Sequence, residues 1–575
     1  MVNINVSAVG LLLAALILGA GCGGGGGGGG DGGGGGGGTN APPSDNNTQQ
    51  PDDSDTSDLI YSRDKLLNIE IEMDPDEYDI LRREGRSFPQ VFAGCYAEFP
   101  EYTHFTAEVT VDGEALTNVD IRKKGFLGSL STSRPSLKLD FDDHVIGQRL
   151  EGLERLTLNN DRQDTSHTHQ CMTYEMWRNA GLPAPRCNFA RVSMNGRDLG
   201  IYTNVEPIKK HFLRRNFDDE EGNLYEAQVA DFGNYIKENF QLKTNKGQND
   251  RSDLDAVVAA LDANDENLPT QLAEVIDLDE FITFWAMEVI TGHWDGAAGN
   301  ANNYYIYHDP STDLFHYIPW GTDGAMALYH VLAPGTGPLY RYTTIPTRLY
   351  GIPEYRDRFH SKVLALLDLV WDEDLLNAEV DRIRNLTGTP ETEMAGTREF
   401  LSQHEERVRS AIAGDLEQWE HTIKDRTTIC NDSNITSISG SFAYDPGSDS
   451  SYGSFEFVAM DGALVTGEGG AWVSEWEQDP DESDNTKLTI WMDAGTVEYA
   501  VVFDIENTSL DDSEIYIHGV ANILTLVQKV DGGSWALAGR GGIGSIIFDE
   551  APVLAHHPSF SFSSDLWWRI PGQRF

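Results

Sequence analysis

The chain has 575 residues, enough for two or three domains, and its 39% of hydrophobic residues is sufficient for packed cores. It carries 92 acidic against 42 basic residues, a formal net charge of −50 at pH 7. A surface of this sign repels nucleic-acid phosphates, which argues against DNA or RNA as a partner. For the same reason, any nucleotide site here needs a metal ion and a local cluster of Lys or Arg.

Residues 1–22 have the composition of an export signal rather than of a folded segment. Their apolar core, residues 9–20, is too short to span a bilayer comfortably and is followed by Gly21 and Cys22. Small residues directly before a cysteine are typical of a bacterial lipoprotein signal, in which Cys22 would be lipidated and would anchor the chain to a lipid bilayer. An ordinary cleaved secretory signal is the alternative.

Residues 23–58 are nearly pure glycine at first and then rich in Pro, Asp, Asn, Ser and Gln. Such a composition cannot bury enough apolar surface to fold, so it predicts a disordered tether. A tether directly after a lipidated cysteine would hold the following domain clear of a membrane surface.

Four further cysteines follow the signal, and their spacing fits no zinc motif. In an exported protein an even number predicts two disulfides, with three connectivities open; free buried thiols are the alternative. These cysteines are Cys95, Cys171, Cys187 and Cys430.

Residues 59–430 mix strand and helix patterns, which predicts an α+β domain that ends in a helical segment. Alternating apolar runs predict strands at residues 66–73, 105–111, 118–123, 136–141, 189–194, 199–205, 303–307 and 315–319. Helical periodicity predicts helices that begin at Asp74 and that cover residues 170–180, 254–261, 278–291 and 355–422.

Residues 431–575 have a different sequence pattern, in which short runs of alternating apolar and polar residues are separated by turns rich in Gly, Asp and Ser. This pattern predicts a separate all-β domain of the sandwich type. Its tryptophans could line a glycan-binding face, although a role in core packing is the simpler interpretation. The tryptophans considered are Trp472, Trp476, Trp491 and Trp535.

One stretch of the chain has the residue types that phosphoryl transfer needs. Asp295 is followed by Asn300 and Asn303, then by an aromatic strand, and then by Asp323 beside a glycine. Transfer from a nucleotide needs a carboxylate to take a hydroxyl proton, and an Asn with a second carboxylate to hold metal. The order Asp, Asn, Asp is that of the protein-kinase catalytic loop and metal-binding Asp. On spacing alone, a polar turn is the alternative.

A second stretch supplies donors for phosphate groups within this very acidic chain. Lys124, Gly125 and Ser129 lie in one loop, and Lys138 lies on the strand that follows. Glycine lets backbone N–H groups approach phosphate oxygens, and a strand lysine after such a loop is placed like the lysine that clamps phosphates in kinases. Gly-Ser loops and strand lysines are also common without any ligand.

Taken in order, these blocks resemble the spore-coat protein H (CotH) kinase family of secreted atypical protein kinases, which has many lipoprotein relatives. The resemblance runs from about Leu66 to Met326, and we assign the helical segment to Cys430 to it as well. Its blocks are Arg122–Phe141, Gly147–Asn160, Tyr174–Pro185, Asn195–Gly196, Gly200–Glu206, Gly222–Tyr225, Trp294–Asp295, Asn303–Tyr307 and Pro319–Asp323.

The resemblance implies an atypical protein-kinase-like fold that uses ATP with Mg²⁺ or Mn²⁺ and phosphorylates Ser or Thr of exported proteins. Asp295 matches the family's catalytic Asp, and Asp323 matches its metal-binding Asp. Asn303 matches the family's Asn before the aromatic strand, whereas Asn300 has the kinase-like spacing. The second metal ligand is therefore open between these two residues.

On the basic side, the resemblance gives Lys138 the role of neutralising phosphate charge, with Lys124 as its competitor. Two positions depart from the common pattern. Gln170 stands where relatives often have Glu, the ion-pair partner of such a lysine, and an amide holds an ammonium less firmly than a carboxylate does. Gly321 replaces the first Asp of the last block, although a Gly-Thr-Asp version occurs in the family.

Our leading hypothesis is a metal-dependent protein serine/threonine kinase that is lipid-anchored to the bacterial cell envelope, at the outer membrane or cell surface. Its C-terminal domain would dock a protein or a glycan. The alternatives are a non-catalytic surface binding protein with a pseudokinase fold, and a structural envelope lipoprotein. Sequence alone does not decide whether the anchor faces the periplasm or the exterior.

Overall fold

A computed structural model describes residues 56–85, 101–125, 129–228, 230–233, 237–328, 337–414, 435–445, 450–459, 461–473, 485–506, 514–517, 522–530, 533–548 and 559–568. The predicted signal and most of the predicted tether lie outside these residues. The tether's last two residues, Ser57 and Asp58, belong to a short 3₁₀ helix, Ser57–Leu59, in which Ser57 is buried. Across the described residues, every helix is too short or too polar to cross a bilayer.

The first seven strands close into a barrel in the order β1-β2-β3-β4-β5-β7-β6. Side chains alternate along β1, so that Leu67, Ile69 and Ile71 fill the interior while their neighbours face solvent. The strands predicted here are confirmed, whereas β5 was not predicted. The strands are β1 Leu66–Met73, β2 Phe105–Val111, β3 Glu114–Lys124, β4 Ser136–Asp140, β5 Arg155–Asn159, β6 Cys187–Met194 and β7 Arg197–Val205.

Helix α1, Pro75–Arg83, begins where its sequence predicts. The Asp74 side chain accepts hydrogen bonds from the N–H groups two and three residues on, at 2.9 and 3.2 Å. At the other end, the buried Lys123 of β3 donates from Nζ to the carbonyls of Arg82 and Glu84, each at 2.6 Å. The lysine thus satisfies carbonyls that the helix leaves unpaired and fastens α1 to the barrel.

The second part of the fold combines nine helices within the described residues with a four-stranded sheet in the order β11-β10-β8-β9. The strands are β8 Asn223–Ala227, β9 Phe240–Leu242, β10 Tyr304–Asp309 and β11 Leu314–Pro319. The helices are α2 His169–Asn179, α3 Lys210–Asn216, α4 Ser252–Leu261, α5 Leu268–Ala273, α6 Leu278–Thr291, α7 Thr344–Gly351, α8 Pro353–Val370, α9 Glu373–Thr387 and α10 Ala395–Ala413.

Helix α6 is the central element of this second part, and its buried residues include Phe284, Trp285 and Ile290. It packs against β11 and against α8 and α10, within one large hydrophobic cluster that also takes in α2. The mixed helices and strands agree with the predicted α+β class. The helical stretch predicted at residues 355–422 is divided into three helices, and residues 415–434 lie outside the described part of the chain.

A disulfide joins Cys171 of α2 to Cys187 of β6, with the two Cα atoms 5.2 Å apart. It therefore ties the helical part to the barrel. The other two candidate cysteines, Cys95 and Cys430, lie outside the described residues.

The C-terminal strands form one antiparallel nine-stranded sheet in the order β17-β19-β18-β16-β15-β14-β13-β12-β20, and β19 also pairs with β20. We predicted a sandwich of two sheets, but the hydrogen bonding is continuous from strand to strand. The sheet encloses a hydrophobic cluster of its own, with Phe503 and Leu526 among its members. The strands are β12 Ile435–Asp445, β13 Ser450–Val458, β14 Leu464–Val473, β15 Asn485–Asp493, β16 Val497–Glu506, β17 Glu514–Ile517, β18 Asn522–Val530, β19 Ala536–Phe548 and β20 Phe560–Trp568.

Candidate active site

The catalytic candidate Asp295 lies in a loop that helix α6 positions. The helix ends at Gly292, whose left-handed conformation (φ 65°) lets the chain turn away from the helix axis. The loop then folds back on itself, because the Asn302 N–H donates to the carbonyl of Gly296 at 3.4 Å. This turn brings residues 300–303 against Asp295.

Three side-chain amides hold the Asp295 carboxylate, which is 2% exposed. Asn300 Nδ2 donates to Oδ1 at 2.7 Å, and Asn303 Nδ2 donates to Oδ2 at 2.6 Å. Asn302 Nδ2 makes a longer contact with Oδ2, at 3.3 Å. The sequence pattern pointed to the first two amides, whereas the third was not predicted. Together they fix the orientation of the carboxylate.

The environment of Asp295 makes it a better base than an ordinary aspartate. Burial raises the pKa of Asp295 to about 7, since the buried carboxylate loses its hydration. The hydrogen bonds from Asn300 and Asn302 lower this pKa, and the nearby charge of Asp323 raises it. A carboxylate with a pKa near neutrality is suited to accept a proton from a hydroxyl group.

Glu288 is a functional candidate that sequence reasoning missed. This fully buried residue of α6 accepts hydrogen bonds from the N–H groups of Ala297 and Ala298 at 2.5 and 2.7 Å. A Cβ atom on Gly296 would lie 2.0 Å from Glu288 Oε1, so glycine is needed there. Burial raises the pKa of Glu288 to about 8, and the charge of Asp295 adds to the shift. A lone Glu on the buried side of an apolar helix was the available signal.

Asp323 follows β11 in the short 3₁₀ helix Thr322–Gly324 and is 9% exposed. Helix α2 and the loop before it hold this turn in place. His169 contacts the Asp323 carbonyl through Nδ1 at 2.7 Å, and Gln163 Nε2 lies 3.4 Å from Asp323 Oδ2. Neither residue was singled out from the sequence, because both lie far from Asp323 along the chain.

The backbone at residue 321 explains why a glycine stands there instead of the Asp of the common family pattern. Gly321 has φ 54°, in the left-handed region, and a Cβ atom built on it would lie 2.6 Å from the amide carbon of Asn303. Its carbonyl accepts a hydrogen bond from Asn303 Nδ2 at 3.2 Å. The same amide therefore contacts both Asp295 and the turn that carries Asp323, so the two acidic candidates converge.

The residues at this point fit a divalent cation. Asn303 is 3% exposed, and its buried Oδ1 has no hydrogen-bond partner among the residues that the structure describes. A buried oxygen left unpaired is costly unless a ligand completes it. Amide and carboxylate oxygens are the ligands that Mg²⁺ and Mn²⁺ prefer. Asn303 and Asp323 would therefore be the better pair of ligands for such an ion, while Asn300 directs its amide nitrogen to Asp295. We call Asp295, Asn300, Asn303 and Asp323 the acidic wall.

On the barrel side, Lys124 approaches this wall. Its Nζ lies 5.9 Å from the centre of the Trp320 ring, three residues before Asp323. It also donates a hydrogen bond to Asn159 Oδ1 of β5. Lys138 sits on the neighbouring strand, where it pairs across the ladder with Arg122. We call Arg122, Lys124 and Lys138 the basic wall.

Lys138 is surrounded by other cations. It keeps part of its surface exposed, yet the surrounding protein removes enough water to hold the pKa of Lys138 well below its usual range. The charges of Arg122, Lys124 and Lys243 lower this pKa further, whereas Glu226 opposes the shift. A site in which lysine charges repel one another favours an anionic ligand.

The phosphate-loop candidates Gly125 and Ser129 lie close together at the end of β3. Gly125 has φ 100°, and a Cβ atom on it would lie 2.2 Å from Ser129 Oγ. Asn160 holds the loop from behind, because its Nδ2 donates to the Ser129 carbonyl at 2.9 Å. Residues 126–128, between the two candidates, lie outside the described part of the chain.

Gln170, the second departure, takes part in a chain of side-chain hydrogen bonds. Asn159, which accepts from Lys124, donates to Gln170 Oε1 at 2.6 Å. Gln170 Nε2 in turn lies 3.3 Å from Asp161 Oδ1. Two amides thus separate Lys124 from a buried carboxylate, and the structure places Gln170 in the hydrogen-bond network of Lys124.

Two comparisons with known proteins agree with this geometry. The profile of the CotH kinase protein family matches residues 121–429, which include the basic wall and the acidic wall. The inner spore coat protein H of Bacillus subtilis (strain 168) is 23% identical over 257 residues, which cover 40% of this chain and 68% of that relative. With more than half of its residues matched, the chain belongs to the CotH kinase family.

Proposed function

We propose that this protein is a metal-dependent protein kinase that transfers the γ-phosphate of ATP to Ser or Thr hydroxyl groups of exported proteins. The proposal depends on the environment of the Asp295 carboxylate. This carboxylate is buried, accepts hydrogen bonds from asparagine amides and lies within electrostatic range of Asp323. Family membership supports a kinase-like protein, and the two walls supply both the acidic and the basic groups that the reaction needs.

In the proposed reaction, Asp295 orients the acceptor hydroxyl and takes its proton. The hydroxyl oxygen forms a bond to the γ-phosphorus, and the bond from that phosphorus to the β,γ-bridging oxygen breaks. ADP leaves with the electron pair of the broken bond. Because burial brings the pKa of Asp295 to about 7, the carboxylate can hold the proton at neutral pH and later release it.

The other residues have supporting roles. Asp323 and Asn303 would hold Mg²⁺ or Mn²⁺, which neutralises charge on the phosphates when it is bound. Lys124 and Lys138 would neutralise the remaining phosphate charge from the opposite side. Gly125 and Ser129 would bring backbone N–H groups to phosphate oxygens.

The test is a phosphotransfer assay on the full-length chain with labelled ATP and Mn²⁺. We expect label on protein, and we expect Asp323→Ala to abolish it. Asp357→Ala is the matched control, because the Asp357 side chain is 77% exposed and lies on α8, away from both walls. If the wild-type chain neither transfers label nor binds ATP at millimolar concentration, the protein is a non-catalytic binding or structural protein.

We further propose that the protein is exported and anchored by lipid on Cys22, with the C-terminal sheet docking a protein or a glycan. The name of the Bacillus relative places that protein in the spore coat, a surface structure, which supports export of this chain. Mass spectrometry of the membrane fraction tests the anchor. Lipid on Cys22 is expected, and Cys22→Ala should release the protein from the membrane; an unlipidated wild-type chain would contradict it.

A further inference from the structure

Strands β8 and β9 carry a row of polar side chains that the proposed function does not yet use. Lys243 Nζ forms an ion pair with Glu226 Oε2 at 2.6 Å, and both side chains are almost completely buried. The same Nζ donates to Gln241 Oε1 at 2.9 Å. Gln241 Nε2 in turn contacts Gln228 Oε1 at 3.3 Å. We call Glu226, Gln228, Gln241 and Lys243 the polar row.

The register of the sheet places one end of this row against the acidic wall. Ala227 of β8 pairs with Tyr304 of β10, and the chains stay together beyond this pair, since the Ala230 N–H donates to the Ala301 carbonyl at 2.7 Å. The backbone of Gln228 therefore lies opposite that of Asn303. The row therefore begins at the level of Asn303, whose amide donates to Asp295.

The row is also coupled to the basic wall. Its ion pair, Lys243 with Glu226 at 2.6 Å, acts electrostatically on Lys138 of β4. Around Lys138, the basic side chains Arg122, Lys124 and Lys243 outnumber the one carboxylate, Glu226. Such a balance favours a polyanion as the ligand.

Gln228 has a buried hydrogen-bond donor that no described residue accepts. The residue is 4% exposed, and within the described part of the chain its Nε2 has no partner. Asn303, opposite it in the register, has a buried acceptor, Oδ1, that likewise has no partner among the described residues. These two atoms are not hydrogen-bonded to each other. One ligand satisfies both: a phosphate oxygen accepts from Gln228, and a cation bound to that phosphate binds Asn303.

We propose that Gln228 is a substrate-binding residue whose Nε2 donates to a phosphate oxygen, and that the polar row is a wall along which a metal-bound polyphosphate chain lies. The inference rests on the proposed function for the identity of the ligand, a nucleoside triphosphate. It adds β8 and β9 to a site that would otherwise consist of the barrel strands and the loop of Asp295.

Calorimetric binding to the full-length chain tests the proposal with two probes, inorganic tripolyphosphate with Mn²⁺ and a non-hydrolysable ATP analogue with Mn²⁺. Gln228→Leu removes the amide. Gln228→Glu keeps an oxygen to accept from Gln241 but has no donor, so it retains the contact within the row. Gln403→Leu is the control, because Gln403 is exposed on α10.

We expect both Gln228 variants to bind tripolyphosphate about tenfold more weakly or worse, as befits a lost hydrogen bond to a charged group, with the control unchanged. Wild-type affinity in both variants would overturn the inference and leave the proposed kinase intact. If wild type binds tripolyphosphate but not the ATP analogue, and the Gln228 variants are weakened, the phosphate wall stands and the kinase proposal fails. Binding of neither probe to wild type would overturn both.

Discussion

The acidic wall and the basic wall satisfy their buried charges in different ways. Around Asp295, amides from the same loop already supply hydrogen bonds, so the carboxylate is held in place without a ligand. Around Lys138, neighbouring groups are mostly cations that lower its pKa. On the proposed function, the first wall would be pre-organised for proton transfer, whereas the second would be completed by an anion that binds to it.

The largest expected effect is on the acidic wall. Asp295→Asn keeps the size and the hydrogen-bonding reach of the side chain but cannot take a proton. We therefore expect kcat to fall by about 10²- to 10⁴-fold. The affinity for ATP should stay within a few-fold of wild type, because the basic wall is intact. Steady-state kinetics and calorimetry measure the two quantities separately; equal losses in both would mean that Asp295 serves binding rather than proton transfer.

Substitutions in the basic wall should have the opposite pattern: they should weaken ATP binding more than they lower kcat. Lys124→Met should raise the KM for ATP by roughly 10- to 100-fold, the range for a lost hydrogen bond to a charged group. Lys138→Met should have a smaller effect, because Lys138 is partly exposed. Lys210→Met, at a 55%-exposed position, is the control. A larger effect at Lys138 would restore the order that we first predicted.

A substitution at Gln170 tests whether the basic wall would work better with the Glu that relatives often have at this position. Gln170→Glu would place a second carboxylate 3.3 Å from Asp161 and remove the donor that now lies there. We expect a stability loss of about 1–3 kcal/mol and no gain in activity. Urea unfolding, with the exposed Gln271→Glu as the control, measures the loss of stability. The phosphotransfer assay measures activity. A more active variant would show that the Asn159 and Gln170 amides impair phosphotransfer rather than replace the carboxylate of relatives.

The smallest expected effect is a change in how stability depends on pH without metal. The pKa of Glu288 is about 8 in the folded chain, above the ordinary value, so its contribution to stability is complete at low pH and is lost as pH rises toward 8. Glu288→Gln cannot titrate. The variant should be less stable than wild type, and the gap should narrow between pH 5 and pH 8. Thermal unfolding across this range measures the gap; a constant gap would mean that Glu288 stays ionised throughout.

Much of the fold and part of the site could be read from local patterns. The Asp74 cap, the hairpin at Asn195 and Gly196, and the buried helix α6 all depend on residues close together in sequence, so their signals are local. Asp295 and its two predicted amide partners also belong to one short loop. The sandwich prediction failed because alternation defines strands but does not say which strand pairs with which.

The amino-acid order supplies the residue types: an acidic chain with one basic stretch, and an Asp, Asn, Asp order within 29 residues. Which of these residues meet depends on the packing of the folded chain. Gln228 is paired opposite Asn303 through sheet register, and Lys124 lies over Trp320 because barrel and sheet approach each other. His169, at the start of α2, contacts the turn of Asp323. Such contacts join distant parts of the chain, and they form because packing buries apolar faces and brings the polar groups between them into contact.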